Sequence, residues 1–257
     1  MSDSVIIVGA SHAGIACAER LRAHGFSGQI QVIDRLSGVP FERPPLSKGF
    51  LQADGSDDKK FLLRRSDWFT SHEINLIDGR EVINIDPETK QLQLDDGHCC
   101  TYHKLVLATG AVPRQLDNIN NLKNVFVLRH PKDAYALRTA IKGQTNAVVL
   151  GGGYIGLEVA ASLTKVGIHV DVIEKAERLL ERVASPHISA FFADLHSDYD
   201  VGIHTSAITQ KILQKHGSFS GVQLTGDRII QAELMIVGIG VLPDLGVAED
   251  AGLAIGN

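Results

Sequence analysis

The chain has 257 residues, 44% hydrophobic and 21% charged, which suits a globular protein of one large domain or two moderate ones. Its formal net charge of −5 announces no basic surface for nucleic acid. No apolar run reaches the roughly 18 residues of a membrane helix, and Met1-Ser2-Asp3-Ser4 lacks the basic start of a secretory signal, so no membrane and a cytoplasmic residence are expected.

Residues 5–8 (Val-Ile-Ile-Val) read as a buried parallel strand. The turn Gly9-Ala10-Ser11-His12-Ala13-Gly14 follows and opens a helix over 13–24, with Ile15, Ala16, Ala18 and Leu21 along it and Gly25 as its stop. Residues 30–33 form the next strand, and Asp34 stands at its end. An acid about 20 residues past the last turn glycine is placed to accept from a ribose 2′-hydroxyl. The stiff segment Pro40-Phe41-Glu42-Arg43-Pro44-Pro45-Leu46-Ser47-Lys48 comes next, with a short helix predicted from Ser47. Residues 54–60, including Asp57-Asp58-Lys59-Lys60, read as a solvated loop. Alternation over 81–102, with turns at Asp86-Pro87 and Asp95-Asp96-Gly97, predicts an antiparallel meander. Another buried strand, 104–108, ends in Thr109-Gly110-Ala111-Val112-Pro113-Arg114.

The plan then repeats. Strand 147–150 leads into Gly151-Gly152-Gly153-Tyr154-Ile155-Gly156, a helix over 154–166 stopped by Gly167, and strand 169–173 with Glu174 at its end. A helix near 187–196, a meander over 207–230 turning at His216-Gly217, and a buried strand 234–237 follow, closed by Gly238-Ile239-Gly240-Val241-Leu242-Pro243-Asp244. This is an internal duplication at domain scale. The expected fold class is α/β, with two Rossmann-like dinucleotide-binding domains, each a parallel sheet with a small antiparallel meander. The expected domains are 1–115 and 116–245, with 246–257 starting a return to the first.

The second turn fits G-x-G-x-x-G: Gly151 for the tight bend, Gly153 for close approach of a pyrophosphate, Gly156 for helix–sheet packing. Glu174 should accept from a ribose hydroxyl and repel a 2′-phosphate, favouring NAD over NADP, while Lys175 beside it pulls the other way. The first turn carries Ser11 where the middle glycine would stand, and its hydroxyl can bond a phosphate oxygen instead. His12 reads first as a solvated turn residue, and the histidines show no metal-ligand spacing. Cys17 reads as a small core residue, and Cys99 and Cys100 are adjacent in a hairpin strand. No C-x-x-C pair exists, which removes an internal dithiol relay.

Five segments, in order along essentially the whole chain, carry a family resemblance. They are Val8-Gly9-Ala10-Ser11-His12-Ala13-Gly14, Glu42-Arg43-Pro44-Pro45-Leu46-Ser47-Lys48, Leu107-Ala108-Thr109-Gly110-Ala111-Val112-Pro113-Arg114, Gly151-Gly152-Gly153-Tyr154-Ile155-Gly156-Leu157-Glu158 and Val237-Gly238-Ile239-Gly240. The chain resembles the FAD-dependent, NADH-using ferredoxin and rubredoxin reductases of oxygenase systems, within the two-dinucleotide flavoprotein superfamily. The proline-rich segment is the most specific, since its counterpart in disulfide reductases carries cysteine. The resemblance implies that Gly9, Ser11, His12, Ala13 and Gly14, with Asp34 and Arg35, hold the ADP half of FAD. It places Arg43 and Lys48 along the FAD, the Val82 backbone at the adenine, and Ala108, Thr109, Gly110 and Arg114 beside the cofactor. It gives NADH to Gly151, Gly153, Tyr154, Ile155, Gly156 and Glu174, with Glu158 and Gly238 bordering the nicotinamide and Lys48 and Glu158 as catalytic groups.

The implied chemistry is hydride transfer from NADH to flavin, then single-electron transfer to an iron–sulfur carrier. Relatives are expected to run past the last residues here, Gly256-Asn257, adding a second FAD segment ending in Gly-Asp and a further domain. Gly226-Asp227 does not replace that segment, because it precedes strand 234–237 and sits in a hairpin. Without it, apolar surface and a sheet edge should be open, a gap that a homodimer would cover. Two other readings stand beside this one: a fragment that binds NADH without turnover, and an NADH oxidase or nitrite-reductase flavin module.

Overall fold

The computed structural model describes residues 3–117, 119 and 122–256. They form two compact units, Met1–Glu42 with Lys59–Ala111 and Pro243–Asn257, and Arg43–Asp58 with Val112–Leu242.

In the first unit the strands Ser4–Val8, Gln29–Asp34, Ile74–Asp78 and Lys104–Leu107 make an all-parallel sheet. Ser4–Val8 lies in the middle, between Gln29–Asp34 and Lys104–Leu107. A parallel strand buried on both faces needs apolar residues on both. Val5 and Ile7 face one cluster with Ile15 and Ala18 of the helix His12–Ala23. Ile6 and Val8 face the other, with Val82, Ile85, Leu92 and Leu94 of the meander Val82–Asp86, Gln91–Leu94 and Cys99–Thr101. The short helix Gly246–Asp250 also belongs here, and Val247 packs against that second cluster. Ala16, expected along the apolar stripe, is exposed.

The second unit repeats the layers. Its parallel sheet runs Gly202–His204, His169–Ile173, Asn146–Leu150, Leu234–Val237, Val125–Phe126. The helices Tyr154–Lys165 and Pro186–Ser197 connect the first three of these in chain order. A second meander, Thr209–Lys215, Ser218–Leu224 and Ile229–Gln231, buries Phe219, Val222 and Leu224 against Val148, Leu150 and Met235 of the sheet. Its first turn is His216-Gly217, both at positive φ, and Gly226-Asp227 forms the second. In both sheets the chain moves one way from the central strand and later returns to its other side. That switch point, at the carboxyl ends of the strands, is where open α/β sheets bind ligands.

The proline-rich stretch departs from the expected division. Arg43–Asp58 groups with the second unit, because the short helix Gly49–Gln52 buries Phe50 and Leu51 beside the helices Pro131–Ala140 and Tyr154–Lys165. Asp58, expected in a solvated loop, is a correction. Arg138 binds it with both guanidinium nitrogens, Nη1–Oδ1 at 2.9 Å and Nη2–Oδ2 at 2.6 Å. The same guanidinium lies 4.4 Å from the Phe50 ring centroid. Hydrogen bonding to Asp58 holds the Arg138 pKa above its ordinary value.

Candidate functional site: two dinucleotide turns and an ion pair

The second turn begins where strand Asn146–Leu150 ends. The Gly151 amide donates to the Ile173 carbonyl at 2.8 Å, which bends the chain sharply at φ +104°. A Cβ on Gly151 would strike the Gly238 carbonyl oxygen, and one on Gly156 would strike the Gly151 carbonyl oxygen. These glycines are demanded by the close approach of main chain to main chain. Gly153, the helix N-cap, is different: a Cβ there meets nothing within 4 Å. Glu174 accepts from the Gly152 amide at 2.6 Å with Oε2 and from the Ala176 amide at 2.7 Å with Oε1. The acid thus holds the turn. A cleft of about 1290 Å³ opens beside this turn, lined in part by Gly153, Tyr154, Ile155, Glu174, Arg182 and Gly238. Tyr154 and Ile155 are both exposed at its rim.

The first turn repeats these bonds. The Gly9 amide donates to the Ile33 carbonyl at 2.7 Å, and a Cβ on Gly9 would strike the Ala108 carbonyl oxygen. Gly14 is pressed against the Gly9 carbonyl oxygen. Asp34 accepts from the Ala10 amide at 2.6 Å and from the Leu36 amide at 2.8 Å. Ser11 is the N-cap with φ −100° and ψ −168°, close to Gly153 at φ −84° and ψ −176°, so a side chain at this position costs no backbone strain. His12 and Ala13 are exposed in the first helical turn. The Thr109 hydroxyl donates to the Asp244 carbonyl at 2.7 Å, and the Asp244 amide donates to the Gly110 carbonyl at 3.0 Å. Arg35 pairs with Asp244 at 2.9 Å and Glu81 at 3.6 Å. Val82 is buried at the start of the meander.

The two candidate catalytic groups meet inside the second unit. Lys48 Nζ lies 2.9 Å from Glu158 Oε1, and Ser47 Oγ donates to Glu158 Oε2 at 2.6 Å. Glu158 is on the helix that the second turn opens. Lys48 follows the short 3-10 helix Pro44–Ser47, whose paired prolines fill its N-terminal positions, where no donor is needed. Arg43 precedes that helix, and the Arg114 amide donates to the Gly240 carbonyl at 2.9 Å. Ser162 and Arg138 were not singled out from sequence, and Ser47 and Asp244 were named only as members of longer segments. Lone serines and charges carry no spacing signal, and only the fold shows what they touch.

The three cysteines of the chain all belong to the first unit. Cys17 is half-buried in the first unit's helix, and Cys99 and Cys100 alternate outward and inward on a meander strand of that unit. Burial, with the neighbouring Cys99, pushes the Cys100 thiol pKa up.

The sequence profile of the family described as "Pyridine nucleotide-disulphide oxidoreductase" matches residues 3–257. Rhodocoxin reductase of Rhodococcus erythropolis is 37% identical over 255 residues, 99% of this chain and 60% of that protein. A rubredoxin-NAD(+) reductase of Pseudomonas putida is 36% identical over 255 residues, 99% of this chain and 66% of that protein. The crystal structure of a ferredoxin reductase from Rhodopseudomonas palustris superposes with a TM-score of 0.95 at 36% identity, covering 99% of this chain and 63% of that one. The chain therefore spans roughly three fifths to two thirds of the length of these proteins. With its paired turns, doubled sheets and end-to-end profile match, the chain belongs to the pyridine nucleotide-disulphide oxidoreductase family.

Proposed function

We propose that the chain serves an NADH-dependent flavoprotein reductase that passes electrons through FAD to a ferredoxin- or rubredoxin-type iron–sulfur carrier in the cytoplasm. The observation that carries this reading is the open space at Gly153, beside a cleft, at the start of the helix that carries Glu158, the partner of Lys48. The fold makes no use of glycine at 153, so the missing side chain is best explained by a ligand that needs the room. The turn amides and the helix N-terminus favour an anionic pyrophosphate there. The Glu174 carboxylate suits a ribose hydroxyl and repels a 2′-phosphate, which selects NADH.

The first turn, Asp34 and the main chain at Ala108–Gly110 fit the ADP half of FAD by the same contacts. When bound, FAD supplies the conversion of a two-electron hydride into single-electron steps. Lys48 contributes a positive charge and hydrogen-bond donors, and Glu158 holds that charge in place. The chain has no C-x-x-C pair and no cysteine in the unit that carries Lys48, which favours an external acceptor over an internal thiol relay. The three free cysteines suit a reducing compartment.

The test is acceptor-dependent turnover of the FAD-loaded chain. NADH should reduce an added ferredoxin or rubredoxin, with NADPH a much poorer donor. NADH consumption equally fast with dioxygen alone would favour an oxidase, and NADH binding with no turnover would reject the reading for this chain.

A further inference from the structure

Glu158 and Ser162 lie one turn apart on the helix Tyr154–Lys165, and both grip the same residue of the proline-rich segment. Ser47 gives its hydroxyl proton to Glu158 Oε2 at 2.6 Å, while its carbonyl accepts from Ser162 Oγ at 2.7 Å. The next residue, Lys48, takes the other carboxylate oxygen. Both serines are almost out of water, at 4% and 2% exposure.

The direction of each proton follows. Gln52 Nε2 donates to Ser162 Oγ at 3.1 Å, which leaves the single Ser162 proton for the Ser47 carbonyl. The single Ser47 proton has two acceptors in reach, Glu158 Oε2 and the Pro44 carbonyl at 3.4 Å. The nearer, charged acceptor takes it. An ion pair whose lysine is half exposed is a loose device by itself, since both side chains have other rotamers and water competes. Bonds from two buried serines remove that looseness, because they fix the Glu158 carboxylate and the main chain before Lys48 at once.

We propose that Ser47 and Ser162, with Gln52 behind them, are positioning residues that set where the Lys48 ammonium and the Glu158 carboxylate stand on the helix of the second turn. The proposal rests on the electron-transfer reading above for its purpose, and its first readout does not depend on that reading. Neither serine needs to touch a dinucleotide. A shift of about 1 Å in such a group can cost on the order of a hundred-fold in rate.

The experiment uses the full chain with its lysines methylated by ¹³C-formaldehyde and reduction, which keeps their charge. The Lys48 methyl resonance is assigned with Lys48→Arg and followed by NMR without any dinucleotide. In Ser47→Ala and Ser162→Ala it should move toward the exposed lysines, as it should in the control Glu158→Gln. Gln52→Ala, at an exposed residue that leaves the fold intact, should move it less in the same direction. A Lys48 signal unmoved in all three variants overturns the proposal. With FAD and NADH supplied, the limiting rate of flavin bleaching should fall roughly ten-fold at unchanged half-saturating NADH. A raised half-saturation with an unchanged limiting rate would make the serines dinucleotide-binding residues and also overturns it. If the unaltered chain bleaches no flavin, the electron-transfer reading fails, and the NMR shift alone decides the positioning role.

Discussion

The two glycine turns share one scaffold and differ at the position where the scaffold makes no demand. In each, the first glycine lies against a carbonyl of the returning strand and the last glycine against the first. In each, an acid at the end of the neighbouring strand accepts two main-chain amides. Of the three glycine positions of the motif only the middle one changes, Ser11 in one and Gly153 in the other, and its backbone is extended and unstrained in both. Glycine at 9, 14, 151 and 156 is therefore a requirement of folding. Glycine at 153 is not, since a Cβ there meets nothing within 4 Å, and the pyrophosphate proposed above is what would use the space.

The largest test of that division is at the packed positions. Gly156→Ala and Gly14→Ala each push a Cβ into a main-chain carbonyl, and each should cost about 3 kcal/mol or more in urea unfolding, or leave no cooperative transition. Gly153→Ala should do the opposite. Its melting temperature should match the unaltered chain, while NADH affinity by fluorescence titration falls about thirty-fold, or about 2 kcal/mol. Equal behaviour of Gly153→Ala and Gly156→Ala would break the comparison.

The acids come next. Glu174→Gln turns an amide group toward one of the two turn N–H donors and should cost about 1–2 kcal/mol in unfolding. It should also narrow the gap between NADH and NADPH. Asp34→Asn should cost a similar amount and weaken FAD retention while leaving NADH binding unchanged.

The smallest effect separates the units by pH. Burial pushes the His196 pKa down, so this histidine is neutral in the folded second unit. A group whose folded pKa is depressed contributes its full stability above its unfolded value, about 6.5 for histidine, and loses it as pH falls. Glu233 adds to this at lower pH. Burial raises its pKa, but hydrogen bonds from the main chain and side chains of Asn146 and Thr145 outweigh that and hold it below 4.5. Hydrogen exchange should therefore show the second unit opening as pH drops from neutral toward 5, with the first unit following later. His196→Gln should flatten that slope, since the variant no longer gains a proton on unfolding.

Both turns, both acids and the central strands were legible because each is a local pattern: an apolar run, glycines at fixed offsets, and a carboxylate at the next strand's end. Ile74–Asp78 escaped because its burial does not alternate cleanly, only Ile74 being fully buried. Gly202–His204 and Val125–Phe126 are too short to carry a period. The placement of Arg43–Asp58 was hidden for another reason. Its anchors, Arg138, Glu158 and Ser162, lie some eighty or more residues away. A charge run such as Asp57-Asp58-Lys59-Lys60 looks solvated until the partner is seen. Lys48 and Glu158 were named by resemblance, and the structure brings them together, while the serines that hold them needed the fold.

The most direct measurement is anaerobic mixing of the FAD-loaded chain with NADH and with NADH deuterated at the transferred position. The visible flavin band should bleach, more slowly with the deuterated cofactor, because the C4 hydrogen must leave as hydride. An NADH-saturated chain whose flavin band persists would contradict it.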